Sequence, residues 1–413
     1  MNWFREVIAM KKIKMQFVGL IVIWILVSIA CGFQFNGQDA EVSEYTNTPV
    51  VPTQVANTPT SEPMATTTPT PQPTNLGGGS GEIVFTTNRT NELLFDDDIY
   101  LLNIEGGEPK RLTDFKYSHS PIWSPDGEKI LFYVEDESGS FFDIFVMNAD
   151  GSELINLTDE FRGGSNASWS PDGKQIIFDS YSGTTDDIYI INRDGMGIQN
   201  LTNSDFNDRT PSISPDGQRI AFSRSKVNAP YSQIYVMDRD GSNVSQIAEK
   251  GYYPIWSPDG NFIAYRFEIR DVRSEVHVMK SDGSEDKNVS GEFNAFGYTW
   301  SPDSKTIAFI SSKQVIKPTK TPDVGPCGTP WSITIPEYER FIHVVNFDGS
   351  ELRTIFELEN GGGTLSWSPD GNWIAFDFRV DTNNDIYIIR IDGTDLQRLT
   401  DYEGNDLNPD WRP

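Results

Sequence analysis

The 413-residue sequence predicts an all-β fold, a single ring of four-stranded antiparallel sheets built from one repeated unit. Three observations predict it. The element Trp-Ser-Pro-Asp-Gly recurs at 123–127, 169–173, 256–260 and 367–371, with variants at 213–217 and 300–304. Marker positions fall at 123, 169, 213, 256, 300, 367 and 411, so five of the six gaps are 43 to 46 residues and one is 67. Each copy also keeps one inner order: turn, apolar run, polar loop, alternating strand, Asp-Gly turn, short strand.

The turn chemistry accounts for the repeated residues. In Ser-Pro-Asp-Gly, proline presets φ at the first corner, aspartate tolerates the second and bonds nearby N–H groups, and glycine takes the left-handed exit. The Asp-Gly pairs at 150–151, 194–195, 240–241, 282–283, 348–349 and 392–393 are hairpin signals for the same reason. We name the strands A to D, with A carrying the tryptophan. B is an apolar run such as Ile176-Ile177-Phe178, C alternates as in Asp187-Ile188-Tyr189-Ile190, and D ends in Leu-Thr, as at Leu201-Thr202. One such meander exposes both faces, and packing copies around an axis buries them. The fold is therefore a β-propeller.

Six A strands each precede a complete B-C-D set. One set, starting at Ile83-Val84-Phe85, lacks an A strand, and one A strand, 408–411, lacks a set. Joining them predicts a seventh blade that closes the ring by pairing the N- and C-terminal strands, with six blades as the alternative. The propeller is assigned to residues 82–413.

What precedes it reads as an address and a stalk. Arg5, Lys11, Lys12 and Lys14 lead into an apolar run, Phe17 to Ala30, too short for a bilayer span. Residues 1–30 thus read as a secretory signal peptide, with an uncleaved signal anchor as the alternative. Either expectation puts the body in the cell envelope, outside the cytoplasm. Residues 31–81 are rich in Thr, Pro and Gly, cannot bury enough surface to fold, and are expected to form a disordered stalk.

The motifs carry two resemblances. Val27-Ser28-Ile29-Ala30-Cys31-Gly32 resembles a bacterial lipobox, which implies lipidation of Cys31, with Ser28 standing where the family has an aliphatic residue. The Trp-Ser-Pro-Asp-Gly turns, Asp-Ile-Tyr strand starts and Leu-Thr endings resemble the TolB-type, WD40-like propellers over residues 82–413. That motif set also occurs in the propellers of prolyl-oligopeptidase-like peptidases and oligogalacturonate lyases. TolB itself resembles a six-bladed propeller behind a separate α/β domain, a place taken here by the stalk.

A net charge of −27, from 33 Lys and Arg against 60 Asp and Glu, argues against nucleic-acid binding. No Gly-x-Ser-x-Gly elbow is present, and no catalytic residue or metal ligand is assigned. His277 and His343 stand where other repeats carry Tyr or Phe. No cofactor is expected, although Ca²⁺ at an acidic mouth stays open on carboxylate count. The Asp residues of the Ser-Pro-Asp-Gly turns read as turn formers, and Asp96-Asp97-Asp98 and Asp186-Asp187 as solvated strand starts.

Strand parity puts A–B and C–D turns on one face and the variable B–C and D–A loops on the other, where recognition belongs. The candidate binding residues are Asp114, His119, Asp159, Asp208, Arg209 and Asp406, with Trp331 in an insertion at roughly 312–340. The expected role is a monomeric, lipid-anchored, membrane-tethered binding module for an envelope protein or polymer. A hydrolase or lyase acting on peptide or glycan is the alternative.

Overall fold

The structure is a computed structural model that describes residues 81–89, 97–114, 117–135, 141–159, 163–269, 273–315, 323–324, 330–331, 337–358, 362–380 and 383–413. The signal segment, Cys31 and the stalk lie outside the described residues.

The propeller is all-β, with seven four-stranded antiparallel blades in a ring. Blade 1 shows the plan: Ser118–Trp123 (A), Lys129–Glu135 (B), Phe142–Asn148 (C) and Ile155–Asn156 (D), hydrogen-bonded in that order. The A strands touch the A strands of adjacent blades and therefore line the centre. The D strands are short outer edges, which limits unpaired backbone.

The seventh blade is built from both ends of the chain. Glu82–Thr87 pairs with Asp98–Asn103 on one side and with Asp406–Trp411 on the other, in register Ile83↔Trp411 and Thr87↔Asp406. The Arg412 N–H donates to the Glu82 carbonyl at 2.9 Å.

The core lies between blades rather than within them. Each of seven apolar clusters joins two neighbours: Val84 and Ile99 of blade 7 meet Trp123, Ile130 and Phe132 of blade 1. Across the other side of blade 7, Ile83, Phe85 and Trp411 meet Trp373 and Ile386 of blade 6. A fully buried phenylalanine stabilises by about 1.5–3 kcal/mol, and one sits at the same place on B in six blades: Phe85, Phe132, Phe178, Phe222, Phe309 and Phe376, with Tyr265 in blade 4. Their cross-strand partners on C are aromatic in most blades, such as Phe178↔Tyr189. His277 and His343 occupy this same position, opposite Tyr265 and Phe309.

The repeated motifs have matching physical roles. In blade 2 the Ser170 hydroxyl donates to Asp172 Oδ1 at 2.6 Å and accepts the Gln175 N–H at 2.9 Å, which closes the turn. The Ser170 bond helps hold the Asp172 carboxyl below its usual range. The tryptophan reaches back one blade: Trp169 Nε1–H donates to the Ile122 carbonyl at 3.2 Å and Trp256 Nε1–H to Ser212 at 3.1 Å.

The aspartates that open the C strands are not solvated, contrary to expectation. Asp98 and Asp187 are buried, because each carboxylate accepts a hydrogen bond from the D-strand threonine, Thr113 or Thr202. The same threonine hydroxyl accepts the N–H of the residue after the aspartate, Ile99 or Ile188. Asp-Ile-Tyr and Leu-Thr are thus two halves of one clamp.

The long gap of 67 residues lies in blade 5. Its strands Thr306–Val315 and Glu337–Asn346 pair along their full lengths, so both ends of the expected 312–340 loop are ladder. A separate unit holds a two-residue ladder in which Asp323–Val324 pairs with Pro330–Trp331.

Candidate functional site

Six of the seven A strands enter the ring through an irregularity, the exception being Leu365–Trp367 of blade 6. Ser120, Asn166, Thr210, Tyr253, Gly297 and Asn408 all have φ between +49° and +55°, three residues before the marker. A left-handed residue in a strand is a bulge: it interrupts pairing and turns the backbone N–H aside. In blade 3, Phe206–Arg209 pairs with the B strand, register shifts, and pairing resumes at Ser212.

The displaced N–H groups bond to the blade before. Ser120 N–H donates to Thr86 Oγ1 at 3.0 Å, Thr210 N–H to Asp179 Oδ1 at 2.8 Å and Tyr253 N–H to Ser223 Oγ at 3.2 Å. Thr86, Asp179 and Ser223 occupy one position, directly after the apolar triplet of strand B. Elsewhere it holds Tyr133, Arg266, Ile310 and Asp377, so a fixed scaffold presents a different group in most blades.

Where blades 2, 3 and 4 meet, these groups line a cleft of about 380 Å³ on the variable-loop face. Asp179 is buried and accepts a second bond on the same oxygen, from Asn166 Nδ2 at 2.9 Å. Burial pushes its carboxyl up to about 7, with Asp186 adding to the rise and Arg209 opposing it. Asp186 pairs with Arg209. Arg266 lies over the rings of Tyr252 and Tyr253, its guanidinium 5.0 Å from the Tyr253 centroid. The Arg266 Nε is buried with no acceptor.

The residues named from sequence scatter. Arg209 lines the cleft. Asp114 is exposed and pairs with Arg111 at 2.7 Å, and Asp159 is exposed on its loop. His119 lies in the A strand rather than in the loop before it, stacked on Tyr133 with ring centroids 5.6 Å apart, and burial lowers its pKa. Asp208 and Asp406 are not loop residues either. Both lie in A strands and are fully buried: Asp208 is gripped by Arg224 at 2.6 and 2.8 Å, and Asp406 by Arg89 at 2.5 Å. A surface ligand cannot reach those carboxylates. The bulge is why the sequence put them in loops: it breaks the alternation that would mark the strand's start. Trp331 is described only by its backbone pairing.

Sequence reasoning missed Asp179, Asn166, Tyr253 and Arg266 as one site. The available signal was variation at the position after the B-strand triplet, in a unit that otherwise repeats.

The two faces differ in what they expose. Among the described residues, every exposed aromatic lies on the variable-loop face: Phe141, Phe142, Tyr181, Tyr253, Phe293, Tyr338 and Tyr402. The C–D turns opposite expose only aliphatic residues among large apolar ones, such as Leu154 and Met196. Also among the described residues, no three His, Cys, Asp or Glu side chains converge as a metal-binding group.

Comparison with known proteins agrees with the fold. The family model for the TolB beta propeller domain matches residues 83–228 and 181–321, together more than half of the chain. An uncharacterized protein of Agrobacterium fabrum is 31% identical over 230 residues, which span 51% of this chain and 61% of that relative. The β-propeller domain of the Trilobed protease from Pyrococcus furiosus superposes with a TM-score of 0.54 at 12% identity, covering 79% of this chain and 96% of that one. An oligogalacturonate lyase in complex with manganese gives a TM-score of 0.53 at 14% identity, covering 79% and 86%.

Proposed function

Because the chain belongs to the TolB β-propeller domain family, we propose that it is an extracytoplasmic binding module, lipid-anchored at Cys31, that recognises an envelope protein or polymer through the variable-loop face. The observation that carries this reading is the segregation of exposed aromatics onto that face. Aromatic side chains supply rigid contact area at little entropic cost and dominate binding hot spots. The cleft at the junction of blades 2 to 4 adds fixed polar groups that give a ligand its orientation.

Photo-crosslinking tests the reading. A photoreactive residue at Tyr253 or Tyr181 should capture one envelope component, and the same group at Asp172, on the opposite face, should capture none. Equal capture from both faces would sink it. For the anchor, Cys31→Ser should abolish fatty-acid labelling and move the protein out of the membrane fraction.

A second reading, catalysis on a peptide or glycan, has one observation in its favour. Asp179 titrates near neutrality beside the Asp186 carboxylate, and such pairs serve acid–base chemistry. Turnover of a substrate that is lost in Asp179→Asn would support it.

A further inference from the structure

We propose that the cleft where blades 2, 3 and 4 meet binds a neutral saccharide, an inference that rests on the binding reading above. The composition of the lining carries it. Most small-molecule pockets are lined predominantly by hydrophobic side chains. None of the eleven residues lining this cleft is aliphatic: they are Ser, Thr, Asn, Asp, Arg and Tyr. An apolar ligand would strip water from these groups without replacing its hydrogen bonds.

The charges select further. Arg209 is paired with Asp186 and Arg266 with Glu268, and burial pushes Asp179 up to about 7, so the lining mixes acceptors and donors without a strong excess of either sign. A phosphate or a polyanion would face two carboxylates on a protein of net charge −27. A polycation would face two guanidinium groups. Each sugar hydroxyl both donates and accepts, which suits a lining that offers carboxylate, amide, hydroxyl and guanidinium together.

The aromatic component fits the same ligand. Tyr253 is 44% exposed and Arg266 braces its ring, leaving a fixed flat surface for the C–H face of a pyranose. Tyr181 is 43% exposed and lies directly across the ladder from Asp186, a second platform at the rim. The scaffold is set in advance. Asn166, Thr210 and Tyr253 sit in left-handed bulges, and the last two are tied by their N–H groups to the preceding blade.

Saturation-transfer NMR on the full chain in detergent micelles tests this, with cellotetraose, chitotetraose, xylotetraose and mannotetraose at millimolar concentration. A soluble acidic peptide and a basic one serve as the other arms. The expected result is transfer to at least one oligosaccharide, weakened about tenfold or more in affinity by Tyr253→Asn and by Arg209→Ala, and unchanged by Asp172→Asn on the opposite face. Asparagine is chosen because it tolerates positive φ, as Asn166 and Asn408 do at the same position. Transfer to none of the four sugars overturns the saccharide assignment, as does binding to either peptide that depends on the same two residues. Selective crosslinking at Tyr253 would survive both outcomes, so failure of this inference is distinguishable from failure of the binding reading.

Discussion

Asp179 shows how one side chain serves the ring and the cleft together. Both of its hydrogen bonds, from Thr210 N–H and Asn166 Nδ2, end on Oδ1. Burial outweighs these two bonds, which favour the charged form, and raises the carboxyl from the ordinary 3.8 to about 7. The folded state therefore keeps a proton that the unfolded chain releases near pH 4. More protons are bound in the native state, so stability from this group falls as pH rises from about 4 to 7. Asp179→Asn mimics the protonated form and preserves the acceptor. Its melting-temperature gain over the parent should grow across that pH window and level off above it. Asp410 has the same character: burial raises it to about 6, and it accepts from Trp123 N–H of blade 1 and the Ser366 hydroxyl of blade 6. A titration in which thermal stability rises from pH 4 to 7 in the parent relative to Asp179→Asn would contradict this account.

At the scale of the element, the blade is a set of clamps whose partners lie in the neighbouring blade as often as in their own. Gly241 has φ +86°, and a Cβ there would come 2.4 Å from the Leu201 carbonyl oxygen of the preceding blade. Gly241→Ala should therefore destabilise by more than the ordinary cost of about 1 kcal/mol for a left-handed alanine, read as a shift in urea midpoint. Trp256→Phe keeps most of the apolar area but loses the indole N–H bond to Ser212 in blade 3. A loss of about 1–3 kcal/mol is expected, and an unchanged midpoint would mean that the tryptophan is there for area alone. The turns and the B-strand triplets were legible because each answers to a local rule, such as proline's φ or the two-residue alternation of a strand. The clamp between Asp98 and Thr113 was not, because its halves are 15 residues apart and either alone reads as a polar surface group.

For the whole molecule, closure decides stability. The last strand of the chain fills the innermost place in the first sheet, and Arg89 and Asp406 are paired in that junction with side chains only 11% and 0% exposed. Removing one partner of a buried pair strands the other, at a cost of about 3–5 kcal/mol. Asp406→Ala should lower stability by that order, and deletion of residues 406–413 should convert a cooperative melt into a broad one by uncovering blades 1 and 6. A sharp, unshifted transition after the deletion would show that the ring does not depend on its closing strand.

From the amino acids alone came the blade count, the four-strand plan and the pairing of chain ends. All of these follow from short-range chemistry repeated at a constant period. Which loop-face residues meet was decided only in three dimensions. The left-handed bulges shift the register of the inner strands that carry Asp208 and Asp406, both buried in ion pairs, while the packing of blades 2, 3 and 4 brings Asp179, Asp186, Arg209, Tyr253 and Arg266 to one cleft. Those five come from three blades, and their convergence depends on how the blades pack around the axis, a relation with no period along the chain.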